Sequence, residues 1–200
     1  MNLKSLFAVS FFIALFFIAS HEVQARYKYD PFLDNLVFPV KHIKSHFYDD
    51  WGEIRGNGNR THEGLDIKAP KGSKVVAIAD GRVNTIAYTE ASGYYIAIDH
   101  GDGWLSLYVH LNDDLVGDDN LGGRKTAIAE GIYLMSEVVA GQTIGYVGNS
   151  GNAEGTVPHI HFEIRYKNKS IQVYDYILES WERFDKYIRF PLKTNSYSKY

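Results

Sequence analysis

Cysteine is absent from this chain of 200 residues, which excludes disulfide bonds, thiolate nucleophiles and cysteine metal ligands. Without disulfides, the folded state depends on the packing of its core or on a bound metal. An excess of positive charge is absent too, because the formal net charge is −3. Nucleic-acid binding normally requires a basic surface, so the composition argues against nucleic acid as a partner.

Long apolar runs are scarce, and the one that is present lies near the start of the chain, at residues 6–19. Lys4 precedes this run and a Val-Gln-Ala sequence at residues 23–25 offers a cleavage site, which is the layout of a secretory signal peptide. The run is short for a membrane span of about 20 residues. We therefore predict that residues 1–25 are a cleaved signal peptide and that the protein is exported to the periplasm or the cell wall. No stable membrane span is then expected, and a retained N-terminal anchor is the alternative.

The composition of the chain suits one globular domain. At 45% hydrophobic and 22% charged residues it can bury a sizeable core, and it contains no internal repeat or low-complexity linker. We assign residues 26–45 to a short N-terminal extension, residues 46–170 to the domain and residues 171–200 to a C-terminal helical segment.

Short alternating segments separated by glycine turns fill the chain from residue 74 to residue 161. The stretch GYYIAIDHGDGWLSLYVHL predicts a hairpin of residues 94–99 and 104–111. The stretch AGQTIGYVGNSGNAEGTVPHIHFEIRY adds a strand, a long glycine loop and a further strand. No helix-period pattern of useful length interrupts these segments. We therefore predict a mainly β domain, built as an antiparallel sheet or sandwich that carries a groove.

Two segments depart from the strand pattern. Residues 117–137 are polar and then mildly apolar, and they are either an excursion that covers a site or a plain surface loop. Near the C-terminus, apolar residues recur at spacings of four, three and four. This spacing predicts a helix that packs one stripe against the sheet, formed by Ile177, Trp181, Phe184 and Ile188.

The heptapeptide PHIHFEI, residues 158–164, places two histidines one residue apart in a strand. Alternate residues of a strand point to the same side. The side predicted to face the core holds Ile160, Phe162 and Ile164. The opposite side holds His159, His161, Glu163 and Arg165.

A third histidine stands in WLSLYVHL, the second strand of the predicted hairpin. The same alternation predicts a core side made of Leu105, Leu107, Val109 and Leu111. It predicts a polar side made of Trp104, Ser106, Tyr108 and His110. Two strands therefore present histidines away from the core, and their shared side can form the floor of a groove.

A further cluster, RTHEGLDIKAP, holds His62 and Asp66 four residues apart. Each cluster alone is explained by ordinary polar surface residues, but their joint presence in a cysteine-free β protein indicates a metal site. Histidine and aspartate suit zinc, and three protein ligands leave a fourth position open in catalytic zinc sites. Five candidate groups exceed what such a site needs, and the surplus suits catalysis.

These three clusters, in this order, resemble the M23 family of zinc metallopeptidases, the lysostaphin and LytM type, which cuts peptide bonds in bacterial peptidoglycan. The likeness includes the AP-x-G-x-x-V-x-A-x-x-D-G-x-V pattern after the first cluster and runs from about residue 38 to residue 165. It implies that His62, Asp66 and His161 hold one zinc ion per chain. It also implies that His110 and His159 flank the attacking water and the scissile carbonyl.

The resemblance implies an endopeptidase that hydrolyses the peptide cross-links of peptidoglycan, and we expect a monomer. One of His110 and His159 would exchange protons with the water and the leaving amine, and the other would stabilise the oxyanion. Which of them is the base stays open. The family includes enzymes that cut glycine bridges and enzymes that cut D-alanyl–diaminopimelate cross-links, and the lack of a wall-binding repeat favours the second.

Two other classes of protein compete with this interpretation. Some domains of the family lack zinc and activate cell-wall amidases, but such domains usually lose ligand positions, whereas this sequence keeps all five. A zinc carboxypeptidase or dipeptidase of another fold would need a wider spacing between its first histidine and aspartate. It would also need a Glu-x-x-His motif at its end, which this sequence lacks.

Several other residues support weaker hypotheses. Some family members use a tyrosine upstream of the first ligand to steady the oxyanion; here Arg60 or Asn59 would replace it, unless both are solvent-exposed turn residues. Glu163 either orients a ligand histidine or forms a surface ion pair with Arg165. We expect His100 to be structural.

Overall fold

The computed structural model describes residues 30–116 and 120–189. The predicted signal peptide at residues 1–25 lies outside the described residues. Within the described ranges, no helix is long and apolar enough to cross a membrane.

The chain divides into two compact units, Met1–Asn35 and Leu36–Tyr200. The described part of the first unit contains the short helix α1 (Pro31–Asp34). This helix begins where the carboxylate of Asp30 accepts a hydrogen bond from the backbone N–H of Phe32 at 3.0 Å. A side-chain acceptor at this position satisfies one of the amide groups that a helix leaves unpaired at its start.

The second unit is built mainly from short strands. In chain order they are β1 (Ile54–Arg55), β2 (Arg60–Thr61), β3 (Leu65–Lys68), β4 (Lys74–Val76), β5 (Gly81–Thr89), β6 (Gly93–Gly101), β7 (Trp104–Leu111), β8 (Glu137–Val138), β9 (Thr143–Tyr146), β10 (His159–Tyr166) and β11 (Lys169–Ser170). Its described helices are α2 (Arg124–Ala127) and α3 (Tyr174–Arg189).

One seven-stranded sheet organises this unit. Its order is β11-β10-β7-β6-β5-β8, and β3 also pairs with β10. The pairs β1–β2 and β4–β9 form two small sheets, and every strand pairing is antiparallel. The prediction of a mainly β antiparallel fold with a C-terminal helix is therefore confirmed, including the hairpin formed by β6 and β7.

Aromatic contacts pack helix α3 onto the unit. The ring of Phe38 lies 4.9 Å from that of Trp181 and 6.0 Å from that of Phe184, between ring centroids. Ile177 is fully buried, but Ile188 is 45% exposed. The predicted helix and most of its apolar stripe are thus present, and the stripe ends one turn earlier than expected.

The predicted core face of β10 is correct, because Ile160, Phe162 and Ile164 are all fully buried. The predicted faces of β7 are wrong for most of that strand. Tyr108 is fully buried opposite Phe162, and their ring centroids lie 5.3 Å apart. Trp104 and Ser106 share this buried face, whereas Leu107 and Val109 line the groove.

Hydrogen bonds explain how the polar residues of β7 can face the core. The hydroxyl of Tyr108 accepts a hydrogen bond from the backbone N–H of Ile78 at 2.9 Å and one from the hydroxyl of Ser106 at 3.1 Å. The hydroxyl of Ser106 also lies 2.8 Å from Nε2 of His100. Polar groups that are satisfied in this way can be buried without a large free-energy cost.

His110 breaks the alternation at the end of β7. Its φ angle is +61°, in the left-handed region that side chains other than glycine rarely adopt. The register between β6 and β7 also shifts here, between the pairs Tyr94–Leu111 and Ile96–Tyr108. This irregularity lets His110 line the same groove as Val109, its neighbour in sequence, so that strict alternation no longer describes the strand.

We predict that Tyr108→Phe lowers the free energy of unfolding by about 1–3 kcal/mol, because it leaves the buried amide of Ile78 without a hydrogen-bond acceptor. Urea denaturation measures this change. The matched control is Tyr187→Phe, since Tyr187 is 61% exposed on helix α3. A Tyr108→Phe variant as stable as that control would contradict a stabilising role for the hydrogen bond between the Tyr108 hydroxyl and the Ile78 amide.

Candidate metal centre

Strand pairing brings two of the three predicted ligands together. His161 of β10 stands directly opposite Asp66 of β3 in the antiparallel register. Residues that face each other across two strands have Cβ atoms about 4.5–5.5 Å apart, so both side chains extend over the same patch of the sheet. His62 lies just after β2 and turns back over this pair.

Gly64 allows the turn between His62 and Asp66 to lie against β10. A Cβ atom at this position would stand 2.4 Å from the carbonyl oxygen of Phe162 and 2.8 Å from Cε1 of His161. Both distances are too short for any side chain. The glycine in the H-E-G-L-D segment is therefore required by close packing, since a larger residue would displace the His161 ring.

Three ligand atoms converge at this point. Nε2 of His62 lies 2.8 Å from Nδ1 of His161 and 3.0 Å from Oδ1 of Asp66, and the last two atoms are 3.1 Å apart. Ligands of a tetrahedral zinc ion at about 2.0–2.2 Å lie about 3.4 Å from one another, so a shift of about half an ångström would accommodate the ion. His62, Asp66 and His161 form a group that could hold a metal ion.

In each ligand histidine, a hydrogen bond at one ring nitrogen determines which ring nitrogen remains free to bind a metal. Nδ1 of His62 donates a hydrogen bond to the backbone carbonyl of Asp50 at 2.9 Å, and Nε2 of His161 donates one to Oε1 of Glu163 at 3.0 Å. In the neutral rings, lone pairs of Nε2 of His62 and Nδ1 of His161 then face each other and the carboxylate of Asp66. Three acceptor atoms in such close contact require a cation or a proton between them.

The pKa shifts of the three ligand residues likewise indicate that positive charge is favoured between them. Burial opposes protonation of His62, but hydrogen bonds with Asp50 and Asp66 outweigh it and raise the pKa of His62 to about 10. Burial likewise opposes protonation of His161, and Asp66 and Glu163 outweigh it and raise its pKa. Burial would raise the pKa of Asp66, yet the two histidines hold it far below its usual range. A metal cation would replace these protons, because metal binding deprotonates its ligands.

Two carboxylates outside the ligand group contact the ring nitrogens of its histidines that do not face the metal position. Asp50 is 1% exposed, and its Oδ1 lies 3.3 Å from Nδ1 of His62. Glu163 is 8% exposed in its side chain and also accepts a hydrogen bond from Nε of Arg165 at 2.6 Å. Arg55 joins the cluster, with its Nη2 atom 3.2 Å from Oδ2 of Asp50 and 3.6 Å from Oδ2 of Asp66.

The two remaining histidines lie beside the convergence point. The ring centroid of His110 is 5.2 Å from that of His159 and 6.3 Å from that of His161. Nδ1 of His110 donates to the carbonyl of Ser150 at 2.9 Å, and Nδ1 of His159 donates to the carbonyl of Val157 at 2.8 Å. Each neutral ring therefore keeps a lone pair on Nε2. Burial and the neighbouring His159 lower the pKa of His110 to about 4.

All five predicted site residues line one groove, which has a volume of about 660 Å³: His62, Asp66, His110, His159 and His161. Arg60 lines this groove as well, but Asn59 is not part of its lining. The described part of residues 117–137 is absent from the lining too; it contains α2 and packs through buried Ala127 and Ile128. The hypothesis that this segment covers the site thus receives no support from its described residues.

Sequence reasoning missed Asp50, Arg55 and Tyr48, of which the last two line the groove. Asp50 lies in a stretch rich in Tyr, Phe and Asp that carries no recognisable motif. No spacing pattern connects it to His62, since a carboxylate twelve residues away reaches the ring only through the fold. The burial of Asp50 is what marks it as a functional residue, and the sequence around a single aspartate does not reveal that the residue is buried.

The chain belongs to peptidase family M23, because the sequence profile of that family matches residues 60–173, more than half of the chain. The murein hydrolase activator NlpD of Escherichia coli is 35% identical over 127 residues, which cover 62% of this chain and 28% of that protein. The peptidoglycan DD-endopeptidase ShyC of Vibrio cholerae is 34% identical over 104 residues, which cover 52% of this chain and 20% of that protein.

Among solved structures, Csd3 of Helicobacter pylori is similar to this fold with a TM-score of 0.53 and 25% identity. The match covers 77% of this chain and 40% of that one. The chain thus spans a quarter or so of the length of the curated relatives named above, at 28% and 20%. Family membership follows from these matches, and the activity of the whole protein does not.

We predict that Asp50→Asn weakens zinc binding about tenfold, because it removes the charge that supports His62 while the backbone carbonyl still accepts its N–H. A competition titration against a chromophoric chelator measures the affinity. Asp49→Asn is the matched control, since Asp49 is exposed and its carboxylate accepts a hydrogen bond from Gln172. Equal zinc affinity of the two variants would contradict a supporting role for Asp50.

Proposed function

We propose that this protein is a zinc-dependent endopeptidase that hydrolyses the peptide cross-links of bacterial peptidoglycan. The observation that carries the proposal is the convergence of three metal-binding atoms beside two further histidines in one groove. Two of those five residues would be superfluous in a purely structural metal site. The likeness to the peptidoglycan DD-endopeptidase ShyC supports the same function.

In this proposal His62, Asp66 and His161 hold one zinc ion. When bound, such an ion lowers the pKa of water to about 7 and polarises a carbonyl group. Asp50 and Glu163 fix the tautomers of the two ligand histidines, as their contacts with Nδ1 of His62 and Nε2 of His161 indicate. These contacts keep the ligand nitrogens unprotonated and correctly aimed.

One of His110 and His159 supplies the proton transfers, and the other stabilises the oxyanion that forms on the carbonyl oxygen. A water molecule attacks the carbonyl carbon of the scissile amide, and one of the two Nε2 atoms accepts its proton. The bond between carbon and nitrogen then breaks as the protonated imidazole returns a proton to the leaving amine. Backbone acceptors hold Nδ1 of each ring, at Ser150 for His110 and at Val157 for His159, so both Nε2 atoms are available for this exchange.

The competing function is activation of another cell-wall hydrolase without catalysis. It is favoured by the likeness to the murein hydrolase activator NlpD, at 35% identity. A purely regulatory domain has no need of all five site residues, and this chain keeps them within one groove. The two functions make opposite predictions for the purified protein acting alone on peptidoglycan.

The remaining expectations from the sequence belong to the same proposal. The protein would be exported after removal of residues 1–25, act as a monomer in the periplasm or the cell wall, and bind no nucleic acid. Residues 26–45 would form an extension, residues 46–170 the peptidase domain and residues 171–200 its C-terminal segment.

We predict that His159→Ala lowers the rate of peptidoglycan cleavage at least about 100-fold and leaves zinc binding intact, because it removes either the proton-transfer group or the oxyanion stabiliser and no ligand. His62→Ala should lose both zinc and activity. Dye release from labelled peptidoglycan reports activity, and elemental analysis of the dialysed protein reports zinc.

His46→Ala serves as the control, because His46 is exposed and lies outside the groove lining. It should retain both zinc and activity. If the wild-type protein binds zinc but releases no dye, the activator function replaces the proposed one. If His159→Ala loses its zinc, the division of roles among the histidines is wrong.

A further inference from the structure

The loop that precedes β10 contacts both of the histidines that do not belong to the ligand group. The backbone carbonyl of Gly148 accepts a hydrogen bond from the backbone N–H of His159 at 2.9 Å. The backbone carbonyl of Ser150 accepts one from Nδ1 of His110, also at 2.9 Å. One short loop, residues 148–152, therefore holds the backbone of one histidine and the ring of the other.

The side chain of Ser150 is buried and forms two hydrogen bonds of its own. The residue is 1% exposed, and its hydroxyl donates to the backbone carbonyl of Leu111 at 2.6 Å. The same oxygen accepts a hydrogen bond from the backbone N–H of Tyr94 at 3.0 Å. Tyr94 of β6 and Leu111 of β7 are paired in the sheet. The hydroxyl thus bridges these two strands at the end of their ladder.

This bridge lies beside the irregular backbone of His110. The register between β6 and β7 shifts next to the pair of Tyr94 and Leu111, and His110 has a φ angle of +61°. A residue other than glycine keeps such a conformation only where its surroundings impose it. The backbone N–H of His110 donates to the carbonyl of Ser92 at 3.1 Å, while the ring donates to Ser150. Both contacts restrain this histidine.

Close packing restricts the position of Ser150. A Cβ atom at Gly93 would collide with Oγ of Ser150, and Gly93 has a φ angle of +60°, which glycine adopts without strain. The backbone N–H of Asn152 also donates to the carbonyl of Ala91 at 3.2 Å. The loop therefore contacts the turn between β5 and β6 at two points, which holds the serine against both strands.

We propose that Ser150 is a positioning residue whose hydroxyl fixes the loop against β6 and β7, so that its backbone carbonyl selects the tautomer and the orientation of the His110 ring. This inference rests on the proposed function and adds a residue to it. Ser150 is not part of the groove lining, so it acts through His110, which is. Its hydrogen bond to Nδ1 leaves Nε2 as the ring nitrogen that is available in the groove.

A comparison of Ser150→Ala with Ser150→Thr tests the inference. Alanine removes both hydrogen bonds of the hydroxyl, whereas threonine keeps the hydroxyl and suits the extended backbone of residue 150, at φ −65° and ψ 162°. With soluble cross-linked peptidoglycan fragments as substrate, Ser150→Ala should lower kcat about tenfold and leave KM unchanged, because it misplaces a reacting group and no binding surface. Ser150→Thr should restore kcat to near the wild-type value. Both variants should retain zinc.

The tautomer of His110 is a second readout, and it requires no catalysis. Correlation spectra of the imidazole rings are recorded on the zinc-loaded full chain labelled with ¹⁵N, at a pH where the ring is neutral, and the signals of His110 are identified by their loss in His110→Gln. The wild-type ring should be protonated at Nδ1 alone. Ser150→Ala should show both neutral tautomers, because an imidazole carries its proton on either nitrogen unless a hydrogen bond selects one. Ser150→Thr should show the wild-type form.

Ser180→Ala is the matched control. Ser180 is 2% exposed, and its hydroxyl donates to the carbonyl of Ile177 at 2.8 Å within helix α3, so this variant also loses a buried hydroxyl. Loss of a buried hydrogen bond lowers the free energy of unfolding. A purely structural effect of this kind should leave kcat and the tautomer of His110 as they are in the wild-type protein.

The inference is overturned if His110 keeps a single tautomer in Ser150→Ala, or if that variant of the active protein keeps the wild-type kcat. It is also overturned if Ser150→Thr is as defective as Ser150→Ala, since the hydroxyl would then not be the cause. Loss of zinc from Ser150→Ala would overturn it too, because the serine would support the whole site. Failure of the proposed function has a different signature: the wild-type protein cleaves nothing, yet the tautomer of His110 still responds to Ser150→Ala.

Discussion

The antiparallel register between β3 and β10 is the constraint on which the candidate site depends. It sets Asp66 opposite His161 and Lys68 opposite His159, so one alignment positions two of the three candidate metal ligands and a further histidine of the groove. A slip of one residue would turn every one of these side chains to the other face of the sheet. The fully buried Ile160 and Phe162 make such a slip costly, because it would expose them. Packing of the core face of β10 thus determines which side chains meet on its opposite face, in the groove.

Charge balance is the second organising feature of the groove. Near the ligand group, Asp50, Asp66 and Glu163 favour positive charge; burial opposes protonation of His62, but Asp50 and Asp66 outweigh it and raise its pKa. Farther along the groove, Lys68 lacks a carboxylate partner within the described chain. A cation at the candidate ligand group would compensate the first of these charges.

The sequence predicted much of the fold and the site, and the failures have physical causes. Strand alternation correctly placed Ile160, Phe162 and their neighbours because β10 is regular. It failed on β7, where Tyr108 faces the core with its hydroxyl bound to a backbone amide, and where His110 reaches the groove only through a positive φ angle. Asp50 was missed because its contact with His62 joins segments that no motif connects. Periodicity predicts regular elements, whereas irregular backbone and long-range polar contacts need the folded chain.

The most direct test of the account is anomalous diffraction at the zinc absorption edge from crystals of the full chain grown with zinc. The account predicts one strong anomalous peak within about 2.3 Å of Nε2 of His62, Oδ1 of Asp66 and Nδ1 of His161. It also predicts that no other protein atom lies within ligand distance of that peak. An empty position between these atoms, or a peak only elsewhere on the protein, would contradict the central claim that this triad holds a metal ion.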